Sequence, residues 1–267
     1  MCTAVILRRP GHAWPLIFAA NRDEMADRPW RPPARHWPDR PEVTAGLDSL
    51  SGGSWLGVND HGVLAGVLNR YGSLGPQEGK RSRGELVLEA LDHADAAEAA
   101  RALAHIDPAA YRTFNLVIAD DRDAFWLANR EDDGARPIEV ADIPEGLSML
   151  TARDLNDDAS PRIRAHLEAF RQADQPRPDA EDERGGDWGR WPEMLARRDG
   201  RPGDGWEAGM TVVSGSGFET VSSSLLALPD RSAPAGATGE PPKPVWLFAP
   251  GRPDRHDYRR VDLNGGL

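Results

Sequence analysis

The stretch MCTAVILRRPGHAWPLIFAANRDE, residues 1–24, decides the fold of this chain. Two apolar runs, residues 3–7 and 16–20, flank a connection that contains two prolines and a glycine. This pattern is typical of two β-strands joined by a turn. If the strands pair antiparallel about the connection, the numbers of opposed residues sum to about 23–25. Cys2 then lies beside residues 21–24, which read NRDE.

Cys2 is the only cysteine among 267 residues, and it directly follows the initiator methionine. Methionine aminopeptidases generally remove the methionine when a small residue such as cysteine follows it. The remaining α-amino group titrates near pH 8, at about 7.7–8.0, so a substantial fraction is neutral at pH 7. Such an amine can take the proton of a neighbouring thiol, which places a nucleophile and its base on one residue. The alternative is that Cys2 is a small apolar residue opening a buried strand.

The polar run beside Cys2 offers two charges that suit this chemistry. The carboxylate of Asp23 can hold the α-amino group by a charge-assisted hydrogen bond. The positive charge of Arg22 favours the thiolate. The alternative interpretation is a solvated strand end or turn, because four polar residues after five apolar ones are common.

A second hairpin is indicated further along the chain. Residues 55–58 and 63–68 flank Asn-Asp-His-Gly at 59–62, a run of turn formers with glycine last. The second of these strands is apolar throughout, as expected when both faces are covered. Counting pairs across the turn places Asn69 near residues 51–53, where glycines allow a ligand to approach the backbone closely.

Four motifs together resemble the NRDE family, which is the family of the transport and Golgi organisation 2 proteins. The motifs are Met1-Cys2, ANRDE at 20–24, GSWLGVN at 53–59 and GVLAGVLNR at 62–70. Bacterial members of this family are similar to N-terminal nucleophile hydrolases. The resemblance therefore implies an α+β fold, a four-layer αββα sandwich of the Ntn-hydrolase type, whereas the spacing of strands and helices alone gives only α+β.

The resemblance also implies roles for individual residues. In related cysteine hydrolases, including bile salt hydrolases and penicillin V acylases, an asparagine at the end of a similar strand supports the oxyanion, and this role falls on Asn69. An amide donor suits a developing oxyanion, and losing one such donor typically costs about 10²- to 10³-fold in rate. The predicted catalytic residues are Cys2, Arg22, Asp23 and Asn69, and the predicted substrate-binding residues are Asn21, Gly53 and Arg70.

Two positions depart from the family pattern. Ala152 ends a segment that in relatives ends in asparagine, so a second polar group of the pocket is missing unless a neighbour replaces it. The neighbours that could replace it are Arg153, Asp154 and Asn156. Val221 stands where relatives carry arginine, which weakens the expectation of anion binding at that point.

The remaining chain predicts one large domain covering residues 1–267. Helices are predicted at 82–91 and 94–104, and another begins at Ser160-Pro161. A flexible insertion is predicted at about 172–209, where Pro, Asp, Arg and Gly dominate. Within it, a pair of tryptophans, Trp188 and Trp191, is expected to dock a short helix on the body of the protein.

Composition excludes several classes of function. The net charge of −11 disfavours nucleic acid and anionic membrane as partners. No run of about eighteen apolar residues predicts a membrane span, and no signal peptide is recognised, so a cytoplasmic location is expected. One cysteine allows no intramolecular disulfide, and the seven histidines show no paired spacing, so no metal site is expected.

The sequence thus predicts a hydrolase or acyl-transfer enzyme, without a cofactor, for a small-molecule amide or acyl substrate. The bond cleaved would be a nonpeptide carbon–nitrogen amide, and the intermediate an acyl-thioester on Cys2. The alternative is a non-catalytic protein on the same fold that handles haem or an acyl ligand, because eukaryotic members of the family are associated with haem trafficking. Cys2 or a histidine would then be the iron ligand.

Overall fold

The computed structural model describes residues 2–131, 133–178, 186–232 and 243–263. The chain forms two compact units. Unit 1 comprises Met1–Asp27 and Pro144–Val261, and unit 2 comprises Arg28–Ile143 and Asp262–Leu267. Each unit contains one antiparallel sheet, with six strands in unit 1 and seven in unit 2 among the described residues.

The elements alternate between strands and a few helices, which is the α+β pattern that the sequence predicts. The strands are β1 (Thr3–Arg8), β2 (Leu16–Met25), β3 (Trp30–Ala34), β4 (Val43–Asp48), β5 (Leu56–Asn59), β6 (Leu64–Asn69), β7 (Phe114–Ala119), β8 (Ala124–Asn129), β9 (Glu139–Asp142), β10 (Gly146–Leu150), β11 (Phe218–Leu228), β12 (Val245–Ala249) and β13 (Arg259–Arg260). The helices are α1 (Gly84–Leu91), α2 (Ala96–Leu103), α3 (Pro161–Gln172) and α4 (Trp191–Leu195).

The sheet of unit 1 has the strand order β10-β1-β2-β11-β12-β13. Its β1–β2 hairpin has the predicted register, because Thr3 pairs with Asn21 and the pairing continues without a shift to Arg8 and Leu16. Continuing the register by one residue places Cys2 opposite Arg22. The first prediction, that the hairpin brings Cys2 to the NRDE run, is therefore confirmed.

Helix α3 packs on one face of this sheet. It begins as predicted, because the hydroxyl of Ser160 accepts the main-chain N–H of Ile163 and proline occupies the first helical position. Ile163 and Phe170 belong to the buried core of unit 1. Trp188 and Trp191 belong to the same core, and Trp191 opens the short helix α4, so the predicted docking of the tryptophan pair is confirmed.

The sheet of unit 2 has the order β3-β4-β5-β6-β7-β8-β9, and helices α1 and α2 share its buried core. The predicted hairpin about residues 59–62 is present as β5–β6. The two predicted helices are present with later starts, and Asp95 caps α2 by accepting the main-chain N–H of Glu98. None of the helices in the described part of the chain has the length and apolarity needed to cross a bilayer.

The predicted domain organisation stays a prediction. The compact units divide the chain by internal contacts, and part of the expected flexible insertion, residues 179–185, lies outside the described residues. The rest of that insertion contains α4, whose buried side chains anchor it to unit 1.

Candidate active site

The thiol of Cys2 lies at the start of β1, beside the end of β2. Its Sγ donates to the main-chain oxygen of Asp23 over 3.6 Å, and the residue is partly buried. Burial raises the pKa of the Cys2 thiol, and the negative charge of Asp23 acts in the same direction. The positive charge of Arg22 lowers this pKa, as expected from the sequence, but burial outweighs it. The thiol therefore keeps its proton at neutral pH and needs a base before it can attack.

The carboxylate of Asp23 is buried and fixed by side chains from two other elements. Its Oδ2 accepts from Nη1 of Arg162 over 3.0 Å, and its Oδ1 accepts from the hydroxyl of Thr220 over 2.6 Å. The same guanidinium nitrogen donates to the hydroxyl of Thr3, the residue that follows Cys2. The side chains of Arg162 and Asp23 are 3% and 0% exposed. Asp23 is thus tied to β11, to α3 and, through Arg162, to β1.

The local sequence explains how these partners reach Asp23. Thr220 lies directly opposite Asp23 in the β2–β11 pairing, so both side chains point to the same face of the sheet. Its hydroxyl also accepts the main-chain N–H of Val212 over 2.8 Å, which fixes its orientation. Arg162 lies in the first turn of α3, where the helix dipole disfavours a cation. The ion pair with Asp23 offsets that cost.

Arg22 occupies the opposite face of β2 from Asp23, because side chains alternate along a strand. Arg22 is 6% exposed, and Ser222 lies directly opposite it on β11. Opposed residues of an antiparallel pair share a face, so Arg22 and Cys2 lie on the same side of the sheet. Arg22 is therefore the cation on the side of the thiol, whereas Arg162 is the cation on the side of the Asp23 carboxylate.

Asn21 is committed to contacts within the protein. Its amide nitrogen donates to the main-chain oxygens of Leu195 and Met210, over 3.0 and 2.9 Å. Its amide oxygen accepts from the hydroxyl of Ser223 over 2.6 Å, and that hydroxyl is also 2.6 Å from the hydroxyl of Tyr258. These contacts give Asn21 a structural role, and its predicted role in substrate binding stays a prediction.

A buried apolar residue follows the strand that pairs with the other edge of β1. Ala152 lies two residues beyond the end of β10, whose pairing with β1 ends at Leu150 opposite Ala4. Asn156, a possible replacement for the missing polar group, is engaged elsewhere. Its amide oxygen accepts the main-chain N–H of Met149 over 2.8 Å, and its amide nitrogen donates to Ser148 over 3.1 Å. Its contacts hold the turn after β10.

Val221 is buried at the irregular step between Thr220 and Ser222, where the β2–β11 register shifts. The arginine that contacts Asp23 comes instead from α3, as Arg162. Sequence reasoning missed both Arg162 and Thr220. The sequence signal for Arg162 is a charged residue one position before Ile163, the first residue of the apolar stripe of α3, which is weak without knowledge of the partner.

The remaining predicted site residues belong to unit 2. Asn69 ends β6, whose pairing with β5 runs from Val58 opposite Leu64 to Leu56 opposite Gly66, and its predicted approach to residues 51–53 stays a prediction. A side chain on Gly53 would lie 2.5 Å from the main-chain carbonyl carbon of Gly84, so the absence of a side chain is explained by the close approach of α1. Nη1 of Arg70 donates to the side-chain oxygen of Asn115 over 2.6 Å.

Cys2, Arg22, Asp23 and Asn21 are thus brought together within unit 1, and Asn69, Gly53 and Arg70 lie within unit 2. The roles predicted for these residues stay predictions. No group of three His, Cys, Asp or Glu side chains that could hold a metal ion occurs among the described residues.

The family model described as Transport and Golgi organisation 2 matches residues 1–185. This match covers more than half of the chain and contains Cys2, Asp23, Asn69 and Arg162. The chain belongs to the Transport and Golgi organisation 2 family. The family resemblance inferred from the four sequence motifs is therefore confirmed.

Curated members of the family match a shorter segment. The Transport and Golgi organization protein 2 homolog of Bos taurus is 39% identical over 116 residues, which is 41% of this chain and 40% of the bovine protein. The Homo sapiens homolog is 37% identical over 114 residues, with the same shares. The matched segment spans about two fifths of these relatives.

Solved structures share the fold of this family member. A variant of the conjugated bile acid hydrolase from Clostridium perfringens superposes with a TM-score of 0.53 at 13% identity, covering 100% of this chain and 95% of that one. A mutant of the same hydrolase gives 0.52 at 12% identity, with the same coverage. At this identity the likeness establishes the fold, and it confirms the predicted α+β class of the Ntn-hydrolase type.

Proposed function

We propose that this protein is an N-terminal cysteine hydrolase that cleaves a nonpeptide carbon–nitrogen amide bond in a small molecule. The observation that carries the proposal is the Cys2 thiol hydrogen-bonded to the main chain of Asp23, whose carboxylate is buried and fixed. A fixed carboxylate beside the first residue of a processed chain is suited to orient an α-amino group. The shared fold with a bile acid hydrolase supports the proposal at the level of fold only.

The proposed reaction begins once Met1 has been removed. The α-amino group of Cys2 takes the thiol proton while Sγ attacks the amide carbonyl carbon. The ammonium group then gives this proton to the leaving nitrogen, the carbon–nitrogen bond breaks, and an amine departs from a thioester on Cys2. Water adds to the thioester carbonyl, with the same amine as its base. The carbon–sulfur bond breaks, the acid is released, and the thiol regains a proton.

The charges around Cys2 suit this sequence of steps. The raised pKa of the thiol keeps the ground state neutral, so the proton moves only when the base and the carbonyl are both in place. The proposed role of Arg22, on the thiol side of the sheet, is to stabilise developing negative charge. The proposed role of Asn69 is to donate its amide to the oxyanion, and that of Asp23 is to orient the amine.

The proposal is tested by intact mass spectrometry before and after treatment with iodoacetamide. We expect the mass of the chain without Met1 and a single carbamidomethyl adduct, and Cys2→Ala should lose Met1 but gain no adduct. The purified protein should also release p-nitroaniline from at least one of a panel of acyl p-nitroanilides. Retention of Met1, or a wild-type thiol that does not react, would overturn the proposal.

The alternative function is a protein that handles haem or an acyl ligand on the same fold. The observation that favours it is Ala152, a buried apolar residue just after β10, with Asn156 engaged in its own turn. Titration with haem, followed by absorbance, separates the two functions. A saturable spectrum that Cys2→Ala abolishes would favour the alternative, whereas our proposal expects no spectrum that depends on Cys2.

A further inference from the structure

Arg162 and Asp23 form an ion pair in the buried part of unit 1, where a charge without a partner is strongly destabilising. Nη1 of Arg162 lies 3.0 Å from Oδ2 of Asp23, and the two side chains are 3% and 0% exposed. A buried carboxylate is stable as an ion only with a partner that supplies charge and hydrogen bonds; without one it binds a proton. Arginine suits this position because its guanidinium group stays charged when buried.

The next arginine on the same helix shows what an ordinary surface pair looks like. Arg164 pairs with Asp204 over 3.1 Å, but its side chain is 38% exposed. Such a pair contributes little to stability and is screened by salt. Arg162 differs in burial and in its contacts, since the same nitrogen also bonds the hydroxyl of Thr3, the residue next to the nucleophile.

We propose that Arg162 is a positioning residue for the nucleophile, which acts by keeping the Asp23 carboxylate charged and aimed at the amino end of Cys2. This inference rests on the proposed function, because it assigns a purpose to Asp23 in the same reaction. Arg162 itself touches neither the thiol nor the reacting carbonyl in this scheme; its effect passes through Asp23. The first turn of α3 therefore belongs to the catalytic apparatus.

Replacement of Arg162 should change the pKa of the Cys2 thiol in a defined direction. The charges that act on the thiol are those of Asp23, which raises its pKa, and of the amino terminus of the chain and Arg22, which lower it. Ala152, which follows β10, is buried and carries no charge. If Arg162→Met leaves Asp23 protonated, the upward contribution disappears and the pKa of the Cys2 thiol falls, as in Asp23→Asn. If Asp23 stays charged, loss of a nearby cation leaves this pKa unchanged or raises it.

The experiment measures the rate of iodoacetamide labelling of Cys2 as a function of pH. We expect the half-maximal rate at a lower pH than wild type for Arg162→Met and for Asp23→Asn, with a displacement at least as large in Asp23→Asn, where the charge of Arg162 remains. Arg162→Lys keeps the charge and should restore the wild-type profile. Arg164→Met, the matched control on the same helix, should leave the profile unchanged.

The double variant Asp23→Asn/Arg162→Met closes the test. It removes both members of the pair, so no buried charge is left without a partner, and it remains usable if Arg162→Met alone does not fold. We expect its labelling profile to be displaced to lower pH than wild type and to coincide with that of Arg162→Met, since both then carry a neutral group at position 23 and no cation at position 162. A profile that differs from that of Arg162→Met, or an upward displacement in Arg162→Met, would overturn the role of Arg162.

The two proposals fail in different ways. If the proposed function is wrong, the wild-type chain retains Met1 or its Cys2 thiol does not react with iodoacetamide. No labelling profile can then be measured. If only the role of Arg162 is wrong, the wild-type thiol reacts normally, and the profile of Arg162→Met matches wild type or moves to higher pH.

Discussion

Asp23 in unit 1 and Asp120 in unit 2 are both buried aspartates, 1% and 4% exposed, but their partners differ in kind. Asp120 accepts main-chain N–H groups, from Arg122 and Asp123 over 2.8 Å and from Ala96 over 2.9 Å. Asp23 accepts from the side chains of Arg162 and Thr220. Asp120 thus satisfies groups that the fold would otherwise leave unpaired, whereas the partners of Asp23 are present only because the sequence supplies them.

This difference separates a structural carboxylate from a functional candidate. Main-chain groups at a turn and a helix start exist in any protein with these elements, and a carboxylate that pairs them stabilises the fold. A buried ion pair between side chains is weak evidence for stability, because well-packed apolar residues can replace it at little cost. The presence of such a pair beside the unique cysteine therefore favours a role in chemistry over a role in stability.

Cys2→Ala should produce the largest effect and tests whether the unit 1 network serves chemistry. We expect hydrolysis of the reactive acyl p-nitroanilide to fall to the uncatalysed rate, because no other thiol exists in the chain. Cys2→Ser should retain a reduced rate, since a hydroxyl is a weaker nucleophile. Urea denaturation should show wild-type stability for both variants. A substantial rate in Cys2→Ala would remove the chemical reason for the network.

Asn69→Ala tests whether unit 2 also contributes to the chemistry. If its amide donates to the oxyanion, the rate of hydrolysis should fall by about 10²- to 10³-fold with little loss of stability. The matched control is Asn59→Ala. The amide of Asn59 bonds the main-chain oxygens of Leu91 and His93, so this variant should lose stability but keep its rate per folded molecule. An unchanged rate in Asn69→Ala would confine the reaction to unit 1 residues.

The two buried aspartates can be exchanged for neutral residues to test the comparison directly. Asp120→Ala should lower the free energy of unfolding by about 2–3 kcal/mol, because three main-chain N–H groups lose a charged acceptor. Its hydrolysis rate per folded molecule should remain at the wild-type level. Asp23→Asn should slow the reaction and, because it leaves the buried guanidinium of Arg162 without its carboxylate, should also lower the free energy of unfolding by about 3–5 kcal/mol. The double variant Asp23→Asn/Arg162→Met should recover much of this stability but remain slow, and if it recovered the wild-type rate, Asp23 would have to be regarded as structural.

The sequence predicted the local parts of this site and missed the distant ones. The β1–β2 register follows from a short connection, so Cys2 could be placed beside Asp23 by counting. The start of α3 follows from Ser160 and Pro161, which act on their own helix. Arg162 and Thr220 lie 139 and 197 residues from Asp23, and no periodicity or turn signal links positions so far apart.

The fold shows the same limit at a sheet edge. Strand β3 contains Pro32 and Pro33 and was not predicted, because proline lacks the N–H that a strand interior needs. The structure places β3 at the edge of the unit 2 sheet, where one side of the strand needs no partner. Whether a strand lies at an edge depends on the pairing of the whole sheet, which local composition does not reveal.

Thr220→Val should produce the smallest effect, and it separates the two bonds that hold Asp23. Valine has nearly the shape of threonine but removes the 2.6 Å hydrogen bond to the carboxylate, while Arg162 keeps the charge in place. We expect about a tenfold slower hydrolysis, which corresponds to one hydrogen bond of about 1.4 kcal/mol. Stability should fall by about 1 kcal/mol in urea denaturation, because the main-chain N–H of Val212 also loses its acceptor. Thr220→Ser, which keeps both bonds, should restore the rate. If Thr220→Val slowed the reaction as much as Asp23→Asn does, orientation by Thr220 would matter more than the charge supplied by Arg162.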